Sequence, residues 1–369
     1  MLGEILADRL YTGGKVLQNQ VISFGDGVVT SVKPVGSSFS GKAYPCMSAG
    51  FIDIHINGGE KFHFTKDPSE EALADMETAC RESGTAYLLP ALITSPYQNM
   101  MKGIDAVRRY RAQCPSSAIL GLHLEGPYIS RIKRGAHPEQ YIRTPSIEEL
   151  QELSEYGRDV VRMLTIAPEL FGDKEMDFLL SSGITISGGH SNATYQEASR
   201  AFDLGISLVT HLFNAMSSFE HRNPGLTGAA LERDEVRCPI IPDGHHCDFA
   251  AARLAYKVKR DKLFLISDAL FLNRKMKNFK WETFDARLEN DTYVNSEGRL
   301  AGSAISLGEA VRNAVQQMAV PLPEAIEMVT RRPAQALGLD DQFGAIAPGY
   351  PAVFTAFDES LSKFAVLTF

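Results

Sequence analysis

The sequence predicts an α/β protein, a (β/α)8 TIM-type barrel carrying a small β-sandwich domain built from both chain termini. Three observations point there. Eight near-continuous apolar runs of strand length recur between residues 51 and 270, helical spacing fills stretches between them such as "SEEALADMETACRESG", and both chain ends read as short β-runs cut by Gly and Pro. Unbroken apolar strands are those of a parallel sheet buried on both faces. Strand and helix alternating over roughly 250 residues is the pattern of a closed parallel barrel.

Along the chain, residues 1–49 ("RLYTGGKVLQNQVISFGDGVVTSVKP") place Gly-Gly and Gly-Asp-Gly turns between β-runs, the chemistry of hairpins. Residues 50–339 hold the barrel. Its strands are expected in "FIDIHING", "TAYLLPALIT", "AILGLHLEG", "VRMLTIAPE", "GITISGGHSN", "ISLVTHLFNAM", "CPIIPDGHH" and "KLFLISDAL". The stretch 271–300 is long, mixed and basic early on, which predicts an excursion or hairpin after the eighth strand. Residues 340–369, with "FGAIAPGYPAVFTAFD", regain the β-character of the N-terminus and are expected beside it.

A net charge of -8 supplies no basic footprint, so nucleic acid and anionic membrane surfaces are excluded as partners. Glu4 and Asp8 interrupt the N-terminus, and no apolar run is long enough for a signal peptide or a membrane span. Five scattered cysteines without a C-x-x-C argue against a disulfide framework or a thiolate zinc site, and for a cytoplasmic location.

In a parallel barrel the C-terminal strand ends share one cavity, so polar residues there converge. His55, Glu125, His190, His211, His246 and Asp268 all stand at such ends. Glu125 closes the apolar run "ILGLHLE" directly before Gly126-Pro127, where a buried carboxylate is costly unless paired. One carboxylate and two imidazoles, Glu125, His190 and His211, suit a single divalent transition metal with a position left for water. Each histidine taken alone could equally be a satisfied polar residue at a strand end; three in register favour the metal. Asp268 can take a proton from a metal-bound water, or else cap the next helix. His55 could touch a second metal, but Asn57 stands where another imidazole would complete the pair, so one metal is the expectation.

Further rim residues suggest substrate contacts. "RGAH" and "DGHH" supply His137, His245 and His246, and the loop after the sixth strand carries Asn214 and Arg222. Arginine suits an anionic head group such as phosphate, although a solvated surface arginine is the plainer reading. Cys247 beside His246 invites a thiol nucleophile, but adjacency in sequence does not orient a dyad.

Together "GFIDIHINGG", "GLHLEGPYIS", "ISGGHSNATY", "VTHLFNAM", "NPGLTGAAL", "DGHHCD", "LISDA" and "GSAISL" make a chain that resembles the N-acetylglucosamine-6-phosphate deacetylases of the amidohydrolase superfamily, over nearly its whole length and in the same order. The resemblance implies metal-dependent hydrolysis of N-acetyl-D-glucosamine 6-phosphate to D-glucosamine 6-phosphate and acetate. It implies one divalent metal per subunit, zinc first and iron, manganese or cobalt as alternatives, on Glu125, His190 and His211. Asp268 matches the catalytic acid/base, and Ala136, His137, Asn214, Ala215 and His246 match substrate contacts. Arg222 matches an arginine given to the substrate phosphate across a homodimer interface.

The sequence also departs from the superfamily pattern. Strand one offers His55-Ile56-Asn57 in place of His-x-His, and "LTIAPE" offers no bridging lysine, leaving Glu125 as the carboxylate on which the metal depends. "ALFLNRKMKN" after Asp268 lacks the small, Pro/Gly-containing stretch expected of a lid, and "SKFAVLTF" stops short of the expected last hairpin, predicting a trimmed β-domain. Two other amidohydrolase readings stay open, a deacetylase for the galactosamine epimer and a cyclic-amide hydrolase, together with a catalytically silent scaffold.

Overall fold

A computed structural model describes residues 3–37 and 39–369; residues 1, 2 and 38 of the expected terminal β-domain lie outside the described residues. The N-terminal segment forms strands β1 (Gly3–Thr12), β2 (Lys15–Gly25), β3 (Val28–Pro34) and β4 (Lys42–Ala49). All eight expected parallel strands follow: β5 (Phe51–Ile56), β6 (Thr85–Ile93), β7 (Leu122–Glu125), β8 (Val161–Ile166), β9 (Thr185–Gly188), β10 (Leu208–Val209), β11 (Cys238–Ile240) and β12 (Leu263–Leu265). Six of them make one curled parallel sheet in the order β10-β9-β8-β7-β6-β5, and β11 pairs with β12. Backbone bonds reach across the gaps, from Val209 N–H to Arg237 O (3.0 Å) on one side and from Asp268 N–H to His55 O (2.9 Å) on the other.

A helix follows each of these strands, and side-chain caps fix where several begin. Ser69, Ser146, Thr194, Asp248 and Ser306 each accept a backbone N–H of the first turn, and Thr194 with Glu197 and Ser306 with Glu309 form full capping boxes. These caps set the length of the loops that precede the helices. The loops at the C-terminal strand ends carry the polar residues, while both faces of the sheet are filled by Leu, Ile, Val and Phe side chains such as Ile54, Leu88, Leu124 and Phe264, all inaccessible to solvent.

After β12 the excursion is larger than a hairpin. Strands β13 (Asn278–Trp281), β14 (Phe284–Glu289), β15 (Thr292–Val294) and β16 (Leu300–Ser303) form an antiparallel meander. It keeps its own apolar cluster with Ile93, Leu270, Phe271, Phe279, Phe284 and Tyr293, so it sits against the barrel-type sheet and not free in solvent.

The two chain ends meet. Strands β17 (Val353–Phe357) and β18 (Phe364–Thr368) join the N-terminal strands in one six-stranded sheet of order β18-β17-β4-β1-β2-β3, over a core of Ile5, Leu10, Ile22, Met47 and Phe354. The closing segment "SKFAVLTF" supplies β18, antiparallel to β17. Its anchor is aromatic: the Phe364 ring lies 5.8 Å from that of Phe357 and 5.9 Å from that of Phe51. Among the described residues no helix is long and apolar enough to cross a membrane, and the five cysteines are free thiols.

Candidate active site

A cavity of about 160 Å³ opens at the C-terminal ends of the parallel strands. Glu125, Ala136, His137, His190, His211, Asn214, Ala215, His246 and Asp268 all line it. Residues spread over 144 positions of sequence, from 125 to 268, are thus brought to one space by the strand ends. Arg222 is not among them. It lies on an exposed turn, in a separate surface groove with Lys133, Tyr195 and Ser217.

At the floor, Glu125 Oε1 lies 3.0 Å from His190 Nε2 and 3.1 Å from His211 Nε2, and the two imidazole nitrogens are 3.1 Å apart. His190 gives its Nδ1–H to the carbonyl of Lys133 at 2.9 Å, so the tautomer with its lone pair on Nε2 is the one this bond selects. That lone pair faces a carboxylate oxygen, acceptor against acceptor. A divalent cation between the three atoms would turn this contact into ligation, and the separations are near the about 3.4 Å expected between ligands of a tetrahedral metal. Glu125, His137 and His190 also present ligand atoms within 4.8 Å of one another, so the donor set around Glu125 is richer than three groups.

The backbone is strained where these residues sit. His190 (φ 46°), His211 (φ 32°), Ala215 (φ 49°) and Asp268 (φ 46°) all occupy the left-handed region that non-glycine residues avoid. Such strain costs of order 1–3 kcal/mol per residue and persists only where surrounding structure enforces it. Here it turns the side chains off the strand ends into the cavity.

Electrostatics converge on Glu125. Burial by itself would raise its carboxyl, but the charge of His55 and the imidazoles of His137, His190 and His211 packed against it outweigh burial and hold the group well below the usual range. His55 lies 3.2 Å from Glu125 Oε2 and 3.4 Å from Asp268 Oδ1. Burial opposes its charge, yet these carboxylates push its pKa up to about 9. His137 goes the other way: burial and the neighbouring His190 bring it down to about 4, so it is neutral at pH 7. His246 donates Nδ1–H to Asp243 at 2.6 Å, which orients its ring toward the cavity. His245 is exposed and outside the cavity lining. Burial raises the Cys247 thiol to about 12, which removes it as a nucleophile.

Several residues in the cavity or behind its lining carried no role in the sequence. Asn57 Nδ2 donates to Asp268 Oδ1 at 2.8 Å. Thr94 contacts His137, and Lys133 contributes through a carbonyl that no side-chain pattern announces. His63 is buried with both ring nitrogens unpartnered and stacks on Phe279 with ring centroids 4.7 Å apart. The meander supplies Phe284, Leu300, Ala301 and Gly302 to the cavity wall, so it covers the site that "ALFLNRKMKN" had seemed to leave open.

Comparison with known proteins gives one answer. The sequence model of the amidohydrolase family matches residues 46–369. The N-acetylgalactosamine-6-phosphate deacetylase of Shewanella sp. (strain ANA-3) is 34% identical over 98% of this chain and 94% of its own. The N-acetylglucosamine-6-phosphate deacetylase of Haemophilus influenzae is 36% identical over 84% of this chain and 82% of its own. Among solved structures, the crystal structure of N-acetylglucosamine-6-phosphate deacetylase from Pasteurella multocida superimposes with a TM-score of 0.92 at 34% identity, covering 100% of this chain and 98% of that one. With a strained histidine and carboxylate cluster at its strand ends and a family model matched over residues 46–369, the chain belongs to the amidohydrolase family and is a hydrolase of carbon–nitrogen bonds.

Proposed function

We propose that the chain hydrolyses the acetamide of N-acetyl-D-glucosamine 6-phosphate, releasing D-glucosamine 6-phosphate and acetate. The observation that carries this is the mutual contact of Glu125, His190 and His211, with Asp268 in the same cavity, on a chain among whose relatives are proteins named for this deacetylation. The eight parallel strands are read as one (β/α)8 barrel spanning 50–339, supported by the backbone bonds at both gaps, and the terminal sheet of 1–49 and 340–369 as a small β-sandwich domain.

Glu125, His190 and His211 would hold one divalent transition metal, zinc in the first instance, with iron, manganese or cobalt as alternatives. Bound there, such an ion supplies Lewis acidity toward the amide carbonyl and a water of lowered pKa. The chain's own residues do the rest. Asp268 accepts the proton of the attacking water and later delivers one to the amine nitrogen, which leaves poorly as an anion. His137, neutral and facing the cavity, offers an N–H to the carbonyl oxygen as negative charge develops on it. Ala136, Asn214, Ala215 and His246 line the space for the sugar. Arg222, remote from the cavity of its own chain, fits donation to the phosphate of a second copy in a homodimer. His55 balances the charge of Glu125 and Asp268 instead of completing a second metal site, because its companion position is Asn57, an amide.

A second reading is favoured by one observation. The Shewanella relative, which matches 98% of this chain, is named for the galactosamine epimer. The test is acetate release by metal-stripped and zinc-reloaded protein from both 6-phosphates and from unphosphorylated N-acetylglucosamine. Zinc-dependent release from the gluco epimer supports the first reading, and a strong galacto preference replaces it with the second. No release from any of the three overturns the enzyme's proposed substrate class. A reducing, cytoplasmic setting suits the free thiols and this substrate.

A further inference from the structure

Thr94 follows the last residue of β6, and its Oγ1 lies 2.9 Å from His137 Nδ1. Its backbone nitrogen lies 3.4 Å from the same atom. A backbone N–H can only donate, so His137 Nδ1 is the acceptor, and the hydroxyl must donate to it as well. The same hydroxyl also lies 3.4 Å from the Glu125 carbonyl, and its 2.9 Å approach to His137 Nδ1 is the shorter of the two contacts. Both residues are buried, Thr94 at 1% and His137 at 4% exposure, so water does not replace these bonds. With Nδ1 occupied as an acceptor, a neutral ring carries its proton on Nε2. That nitrogen is the one on the Glu125 side, 3.6 Å from Oε2.

We propose that Thr94 is a positioning residue for the reaction: by occupying His137 Nδ1 with two donors, it fixes the Nε2–H tautomer and aims that proton at the acetamide oxygen. The inference rests on the deacetylase reading for the identity of the oxygen. It also parts His137 from the metal ligands, because a protonated Nε2 has no lone pair to give, whereas His190 has its proton on Nδ1 and its Nε2 free.

The experiment compares wild type with Thr94→Val, which keeps the shape and the backbone N–H but loses the hydroxyl, and with Thr94→Ser, which keeps both donors. Acetate release from the sugar phosphate should show kcat down about tenfold to a hundredfold in Thr94→Val with KM nearly unchanged, the mark of an interaction made in the transition state. Thr94→Ser should stay within about threefold of wild type, and zinc content should be equal in all three. Independently, long-range proton–nitrogen NMR of metal-free, nitrogen-15 histidine-labelled protein reads the tautomer, with His137 assigned by its loss in His137→Gln. Wild type should show a protonated Nε2, and Thr94→Val a mixture. An Nδ1-protonated wild type overturns the proposal, as does a Thr94→Val enzyme with unchanged kcat, or a Thr94→Ser enzyme as impaired as Thr94→Val. If wild type releases no acetate at all, the deacetylase reading falls, and the NMR result alone then decides whether Thr94 sets the tautomer.

Discussion

The side-chain amide of Asn57 donates a 2.8 Å hydrogen bond to Asp268 Oδ1, and His55 Nε2 lies 3.4 Å from the same oxygen. One carboxylate oxygen is thereby committed to the protein, and the other is left to exchange a proton. Asn57→Ala should lower kcat about tenfold to a hundredfold, because a carboxylate free to rotate loses its alignment with the reacting water. Metal content should be unchanged. Steady-state kinetics with metal analysis on the same sample checks both halves, and loss of metal would show that Asn57 serves the ligands instead.

Glu125 and Asp268 should separate cleanly by mutation. Glu125→Gln removes the negative donor at the centre of the cluster, so zinc affinity should fall first and activity with it. Asp268→Asn should retain zinc yet lose turnover by about a thousandfold or more, since an amide can neither accept nor return the proton. Equilibrium dialysis and acetate release distinguish the two, and a zinc-free Asp268→Asn protein would make Asp268 a ligand.

Arg222→Gln should raise KM for the 6-phosphate by about tenfold, the scale of one charge-assisted contact, while leaving the unphosphorylated sugar unaffected. If the arginine acts across an interface, mixing Arg222→Gln with Asp268→Asn subunits should restore sites that neither homodimer possesses. Equal KM for both substrates would remove Arg222 from phosphate recognition.

His63 predicts a pH dependence of stability. Burial lowers its pKa to about 3, against an ordinary value near 6.5, so the folded state binds fewer protons than the unfolded state between these limits. Stability is therefore full above about pH 6.5 and is lost as pH falls toward 3, with a slope approaching about 1.4 kcal/mol per pH unit from this one group. His63→Phe, which can keep the stack on Phe279, should flatten that slope. Urea melts between pH 4 and 7 on both proteins measure it, and parallel slopes would refute the assignment.

Much of this molecule was legible in its sequence because buried parallel strands leave an unmistakable apolar run. The strands from "FIDIHI" to "LFL" and the polar residue closing six of them could be read directly, and so could Glu125 as a charge needing a partner. Contacts that depend on chain path were not. Asn57 and Thr94 are ordinary polar residues until folding sets them against Asp268 and His137, and Lys133 acts through a carbonyl that every residue possesses. The left-handed backbone at His190, His211 and Asp268 is likewise imposed by packing, since no glycine marks those positions. The meander was underestimated because its strands alternate apolar and charged residues, as in "NFKW" and "FDARLE", a weaker signal than an unbroken apolar run.

The sheet that unites the two ends of the chain also dictates an order of events during synthesis. Strand β4 pairs with β1 on one side and with β17 on the other, and Gly50 and Phe51, at the entry to the first parallel strand, bond to Val353 and Thr355. A nascent chain therefore carries an open β4 edge until residues 353–357 have left the ribosome, some three hundred residues later. Closing contacts so far apart in sequence is slow, and an unpaired edge is a template for aggregation in the meantime. The enzyme should depend on chaperone protection during translation, and circular permutation that makes β17 early should relieve that dependence.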